Sequence, residues 1–270
     1  LFRQESRIGA DEPRPFPLVG SAAYAAAAAI ALGLAIAFAL RETWLVVGFA
    51  VAASGVATVQ RYRPIPLLRA MAAALGTAAL ARVFWSPVLS GVGEWPVLNW
   101  LAVVYGLPAL VFGWGVVMLS DRRDRARSVL EGLSAFFLSA FVVLSVIQAF
   151  FGGDLLQVFA VLDDGPRAPS LATVTGLFTL AGLALALLAL FFARLGREAE
   201  SPAFEAAGKI ALAGLVPAAF GGLALLANPL VVDRPAFEPM ILNSFLFGHA
   251  GLVPQWSVAD ARRLAAETER

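Results

Sequence analysis

Gly132–Gly153 reads GLSAFFLSAFVVLSVIQAFFGG, a run of twenty-two residues without a charge. As a helix it would measure about 33 Å, against a bilayer hydrocarbon core of about 30 Å. Arg122, Arg123, Arg125 and Arg127 stand ahead of it and Asp154 behind it, so polar ends enclose an apolar middle. This stretch decides the fold class, because the chain contains more of the same kind.

Uncharged runs also cover Pro15–Leu40, Thr43–Gln60, Trp95–Ser120, Ala168–Ala193, Ile210–Val232 and Pro239–Ala259. Another, Pro64–Phe84, is interrupted by Arg69 and Arg82. Each is long enough for one crossing, so the expected fold is all-α: a polytopic transmembrane helix bundle of about eight spans. Composition agrees, with 60% hydrophobic and 14% charged residues and a mean hydropathy of +0.79. A soluble domain carries about 25% charged residues. A net charge of +1 supplies no basic field for nucleic acid, and zero cysteines exclude disulfides, thiolate metal sites and a cysteine nucleophile. Leu1 in place of Met implies a segment or a processed product, and the first run, which ends at Arg41 and Glu42, reads as a retained helix rather than a cleaved signal.

The joints alternate in basic content. Sixteen Lys and Arg residues fall in the leading tail (Arg3, Arg7, Arg14), in alternate joints (Arg61, Arg63, Arg69; Arg122, Arg123, Arg125, Arg127; Arg194, Arg197, Lys209) and in the closing tail (Arg262, Arg263, Arg270). The intervening joints hold only Arg41, Arg82, Arg167 and Arg234. Basic short loops stay in the cytoplasm, which predicts both termini cytoplasmic and an even number of spans in a bacterial inner membrane. Trp44, Trp85 and Trp95 fall at span ends on the predicted outer side, with Trp256 at the opposite interface. Trp100 and Trp114 read as packing residues.

An echo divides the chain. Ser86-Pro87-Val88 followed by Glu94-Trp-Pro-Val-Leu-Asn99 resembles Asn228-Pro229-Leu230 followed by Glu238-Pro-Met-Ile-Leu-Asn243. Glu and Asn are five apart in both copies. Two repeated four-helix units follow, residues 1–127 with the cytoplasmic N-terminal tail and residues 128–270 with the C-terminal tail.

The same residues carry a family resemblance. Phe84-Trp-Ser-Pro-Val-Leu89, Glu94-Trp-Pro-Val-Leu-Asn-Trp100 and Tyr105-Gly-Leu-Pro-Ala-Leu110 resemble a predicted bacterial membrane-protein family known only as domain of unknown function 2339. Gly152-Gly153-Asp154-Leu155, Ala227-Asn-Pro-Leu230 and Leu242-Asn243 are similar to further segments of it. The resemblance runs over most of Arg41–Gln255. It implies a longer protein with more helices and a polar N-terminal region, and it brings no activity. Family members often carry charges just before the Gly-Gly-Asp, where this chain reads Val146-Ile-Gln-Ala-Phe-Phe151.

Polar residues inside or beside the spans are the candidates for function. Arg82 is a charge within a span, which reads either as an anchor snorkelling to headgroups or as a substrate or anion site. His249, the single histidine, reads as a packed residue or as a proton relay. Glu94 with Asn99, and Glu238 with Asn243, suit helix entry beside a proline, or alternatively two related outer sites for a cation or a sugar. Asp154 opens the longest outer joint, where Leu155, Leu156, Phe159 and Leu162 recur at helical spacing and predict a short interfacial helix. Asp163 and Asp164 end it in a turn, and adjacent carboxylates of this kind sometimes hold a divalent cation. Gly214, Ala218 and Gly222 form a small-residue stripe for helix packing, and Pro108, Pro217 and Pro254 lie inside spans where a proline kinks a helix.

No phosphate-cradling glycine loop, zinc histidine pair or Ser/His/Asp set stands out in the sequence, so no cofactor is expected. Expected partners are the lipid bilayer and other membrane protein subunits. The first functional expectation is a non-enzymatic scaffold or subunit of a membrane or envelope complex. A transporter with a site between the four-helix halves, and a membrane-embedded transferase acting on a lipid-linked substrate, are the alternatives. The transferase needs Asp154, Asp163, Asp164, Glu94 and Glu238 to converge on one outer pocket.

Overall fold

The computed structural model describes residues 44–62, 64–87, 89, 99–120, 123–162 and 169–226, with isolated helical positions between 24 and 35. Among these residues every regular element is helical. The order is α1 (Trp44–Tyr62), α2 (Pro66–Trp85), a π turn (Ala102–Gly106) continuing into α3 (Leu107–Met118), and α4 (Arg125–Phe151). A 3-10 helix (Leu155–Leu162), α5 (Leu171–Glu198), α6 (Pro202–Val216) and a second π segment (Pro217–Leu226) follow. Among the described residues five helices are long and apolar enough to cross a membrane, and a sixth apolar helix, Ala102–Met118, is shorter.

Helix ends follow local chemistry more closely than the limits of the uncharged runs. α4 starts at Arg125 rather than Gly132, because the Asp124 carboxylate accepts from the Arg127 N–H at 3.0 Å and caps the first turn. Its far end is Gly152, whose φ of +67° favours glycine. α5 is capped by Ser170 and α6 by Ser201, each accepting from the N–H three residues on. α6 therefore begins eight residues ahead of the expected Ile210. The helix of the expected Trp95–Ser120 span starts at Trp100, after the Asn99 cap. The prolines redirect hydrogen bonding rather than end the helices. Ahead of Pro108 the Leu107 N–H reaches the Ala102 carbonyl five residues back, and Pro217 opens the second π segment.

Each of α1, α2, α3 and α4 packs against two of the others, in the ring α1–α2–α4–α3. Small residues line its centre: Ala50, Ala53 and Ala57 of α1 and Ala72 and Ala79 of α2 are fully buried. They leave room for Phe112 of α3 and Phe137 of α4, whose rings lie 5.5 Å apart. Where apolar burial gives helices little drive to associate, small residues and fitted contacts hold them together. The α5–α6 hairpin packs on the outside of this ring against α4. Ala135, Leu188, Ala189, Phe192, Phe204 and Ala211 form that seam near the α5–α6 turn, and Val146, Val161, Val174 and Leu177 form a second seam near the start of α5. The core is thus continuous across position 127, because Leu130, Leu133 and Phe137 belong to the same cluster as α1–α3.

The small-residue stripe of the expected seventh span faces inward to α5. A Cβ on Gly214 would touch Leu185 at 3.6 Å, and one on Gly222 would overlap the Phe178 ring. Trp114 corrects an expectation: it is 57% exposed and shares an outward ridge with Leu107, Leu110 and Val117. Its position inside an apolar run suggested packing, but helical phase turns it away from α1 and α4. Trp85 is 89% exposed, and Trp44 meets Trp100 edge to face at 5.5 Å.

Candidate functional site

Polar side chains gather at the two ends of the bundle and leave its middle largely apolar. At one end the finish of α1, α3 and α5 meets the start of α2, α4 and α6. The Gln60 side chain accepts from the Ile65 N–H at 2.9 Å and closes the α1–α2 turn. Arg69 of α2, nearly buried, donates to Asp124 at the head of α4 at 2.6 Å. Arg123 pairs with Glu200 in the α5–α6 turn. Arg127 donates to Glu131 at 2.9 Å and to the Ser120 carbonyl at the end of α3 at 3.4 Å. Glu131 is only 3% exposed, and its second carboxylate oxygen accepts from the Ser201 hydroxyl at 2.6 Å. The carboxylate thus has a charged donor on one side and a neutral donor on the other.

Asp124 lies outside the apolar part of α4. Burial pushes its carboxyl pKa up, but the hydrogen bond from Arg69, the Arg127 N–H and the Arg69 charge together hold it below the ordinary carboxylate value. It is therefore an anion at neutral pH, serving both as helix cap and as counter-ion.

At the other end Asn99 and Gln148 are paired, the Asn99 amide N–H donating to the Gln148 carbonyl oxygen. The Asn99 Oδ1 accepts from the Leu101 N–H at 2.7 Å and caps the helix that contains the π turn. Gln148 is 2% exposed. The Leu155 N–H bonds the Leu89 carbonyl, tying the 3-10 helix to the chain beyond α2. That 3-10 helix occupies the place of the expected interfacial helix: Leu155 and Val161 are buried in the bundle, while Leu156 and Phe159 face outward. Between the ends, two serines grip α3 from either side: Ser54 of α1 donates to the Val111 carbonyl at 2.6 Å and Ser134 of α4 to the Ala109 carbonyl at 2.9 Å.

Of the residues singled out in the sequence, Arg82, Asn99 and Asp154 are described. Glu94, Asp163, Asp164, Glu238, Asn243 and His249 lie outside the described residues. Arg82 occupies the last turn of α2, with its Nη1 buried and without a hydrogen-bond partner among the described residues. Asn99 acts as a cap and as the partner of Gln148. Asp154 accepts from the Leu156 N–H at 3.1 Å, which starts the 3-10 helix. Among the described residues no group of three or more His, Cys, Asp or Glu side chains could hold a metal ion.

Sequence reasoning passed over Glu131, Ser201, Gln148 and Ser54. Glu131 stands at the edge of the uncharged run Gly132–Gly153, where a charge reads as a solvated boundary. Its signal was the Arg127–Glu131 spacing of four, which places both on one helical face.

Comparison with known proteins finds no family model, no curated protein and no solved structure that matches this chain.

Proposed function

We propose that this chain is a multi-pass protein of a bacterial inner membrane, acting as a scaffold or subunit of a membrane or envelope complex. The observation that carries the reading is where the polar groups go. Glu131, Ser201, Arg69, Asp124, Asn99, Gln148, Ser54 and Ser134 bind other helices or cap them, so their hydrogen-bonding capacity is engaged in holding the bundle. Meanwhile α3, α5, and α6 with the π segment after it, turn apolar ridges outward: Leu110 and Val117; Leu183, Leu187 and Leu190; Ile210, Val216 and Phe220. A rigid bundle with extended apolar faces suits lateral packing against lipid and other helices.

In this reading the end that gathers Arg61, Arg69, Arg123, Arg125, Arg127, Arg194 and Arg197 faces the cytoplasm, the chain has eight spans in two four-helix units, and both termini are cytoplasmic. Cysteine-accessibility mapping tests it. A cysteine at Arg123 and one at Arg167 should label from opposite sides, and labelling from the same side overturns the topology. The scaffold role is tested by photo-crosslinking from Leu187 and Ile210 in intact membranes. Reproducible adducts to another membrane protein support it, and recovery of lipid adducts alone counts against it.

A transporter is the second reading, favoured by the π turn before Pro108 and the π segment from Pro217. Interrupted helices at membrane depth supply free backbone carbonyls in transport proteins. It requires a water-accessible path beside Tyr105, so a cysteine there should react with a small aqueous thiol reagent.

A further inference from the structure

We propose that Arg82 is the anion receptor of the predicted outer end, and that its ligand is the phosphate of a phospholipid headgroup. The inference rests on the membrane reading above and adds a ligand to it. Arg82 stands in the last turn of α2, and its Nη1 is buried without a hydrogen-bond partner. Among the described residues no carboxylate lies in ion-pair range of it; Arg69, Arg123, Arg127 and Arg194 each have one, and Arg61, Arg125 and Arg197, which have none, are exposed. An unpaired cationic donor away from water is among the most costly polar arrangements in a protein. A guanidinium in this state needs an anion.

Depth identifies which anion is at hand. Phe84 and Trp85 follow on the same turn, 69% and 89% exposed, and Trp44 and Trp100 form an aromatic pair at the corresponding ends of α1 and α3. Aromatic rings of this kind mark the headgroup level of a bilayer. Arg82 precedes them within that turn, about 3–5 Å closer to the hydrocarbon, and its side chain is long enough to meet phosphates from below. The residue is half-buried and only Nη1 of its guanidinium is enclosed without a partner, so the group sits at the wall of the bundle and its Nε and Nη2 are the donors that a headgroup phosphate reaches. A planar fork with several donors matches phosphate oxygens in pairs, which a lysine ammonium does not.

The test uses the full chain purified in mild detergent with added phosphatidylglycerol, read by intact-complex mass spectrometry. The parent should retain a phospholipid through detergent washing. Arg82→Gln should lower that occupancy by about tenfold, the loss of one charge-assisted contact, and Arg82→Lys should fall between. Inorganic phosphate added in excess should leave the occupancy unchanged, and displacement by it overturns the lipid in favour of a free anion. Equal occupancy in parent and Arg82→Gln overturns the site. So does a thermal loss in Glu42→Gln or Glu94→Gln that matches Arg82→Gln and is non-additive with it, which would make the partner an internal carboxylate. Recovery of the chain in the soluble fraction would instead defeat the membrane reading itself.

Discussion

The Ser201 hydroxyl donates to the Glu131 carboxylate at 2.6 Å across seventy positions of sequence, joining the α5–α6 turn to α4. Ser201 also caps α6 by accepting from the Phe204 N–H, and Glu131 also pairs with Arg127. One buried carboxylate thus fixes the hairpin to the four-helix ring at the basic end.

Removing that carboxylate leaves Arg127 without its partner in a nearly dry site. Glu131→Ala should therefore destabilise the fold by about 3–5 kcal/mol, the usual cost of breaking a buried pair. Glu131→Gln keeps an acceptor for Ser201 and should lose less. Thermal unfolding in detergent checks this, and an unchanged midpoint for Glu131→Ala would refute the role.

Much of the architecture was legible because apolar length is a strong signal. Thr43–Gln60 and Pro64–Phe84 match α1 and α2 within a few residues, since a helix is the one structure that satisfies the backbone of a single apolar segment from within itself. Helix starts were less legible, because Asp124, Ser170 and Ser201 cap from positions that read as joint. Asn99 was recognisable as a helix-entry residue from its place before an apolar run. Its partner Gln148 was not, because the two meet only when α3 and α4 pack antiparallel. Trp114 was misread for a related reason: hydropathy marks membrane depth and is silent about which side of a helix faces out.

Asp124 makes part of the stability depend on pH. Its pKa in the folded protein is below the ordinary carboxylate value of about 3.9, so the folded state holds the proton less tightly than the unfolded chain. The Asp124 contribution is therefore complete above about pH 4 and is lost as pH falls through the lowered folded value. Asp124→Asn should lower the midpoint at neutral pH and flatten this part of the acid limb. Thermal unfolding of both proteins between about pH 2 and pH 7 gives the comparison. Parallel curves would show that Arg69 does not stabilise the ionised form.

Two glycines should respond in opposite senses to the same substitution. A Cβ on Gly196 of α5 would lie 2.8 Å from Glu205 Cγ and 2.9 Å from Glu205 N, at the start of α6. The backbone there cannot yield without moving the hairpin, so Gly196→Ala should cost about 1–3 kcal/mol. A Cβ on Gly55 of α1 meets nothing within 4 Å. Gly55→Ala should be neutral or stabilising by up to about 1 kcal/mol, because alanine loses less backbone freedom in a helix. Matched melting curves decide it, and a loss at Gly55 equal to that at Gly196 would mean that α1 has a close neighbour on its open face.

The Asn99–Gln148 pair should be energetically coupled. Asn99 uses its carbonyl to cap Leu101 and its amide N–H to hold Gln148, so its orientation is set from both sides. Asn99→Ala removes the cap and the interhelical bond together, whereas Gln148→Ala removes the interhelical bond and leaves the cap acceptor. The first should cost more than the second, by about 1 kcal/mol for the cap. In the double variant the shared bond can be lost only once, so the total should fall short of the sum by about 0.5–2 kcal/mol. A cycle measured by chemical denaturation in detergent reads this directly. Strict additivity would mean that α3 and α4 are held at this end by apolar contacts such as Gly106 against Phe141, and that the amide bond merely satisfies two buried groups.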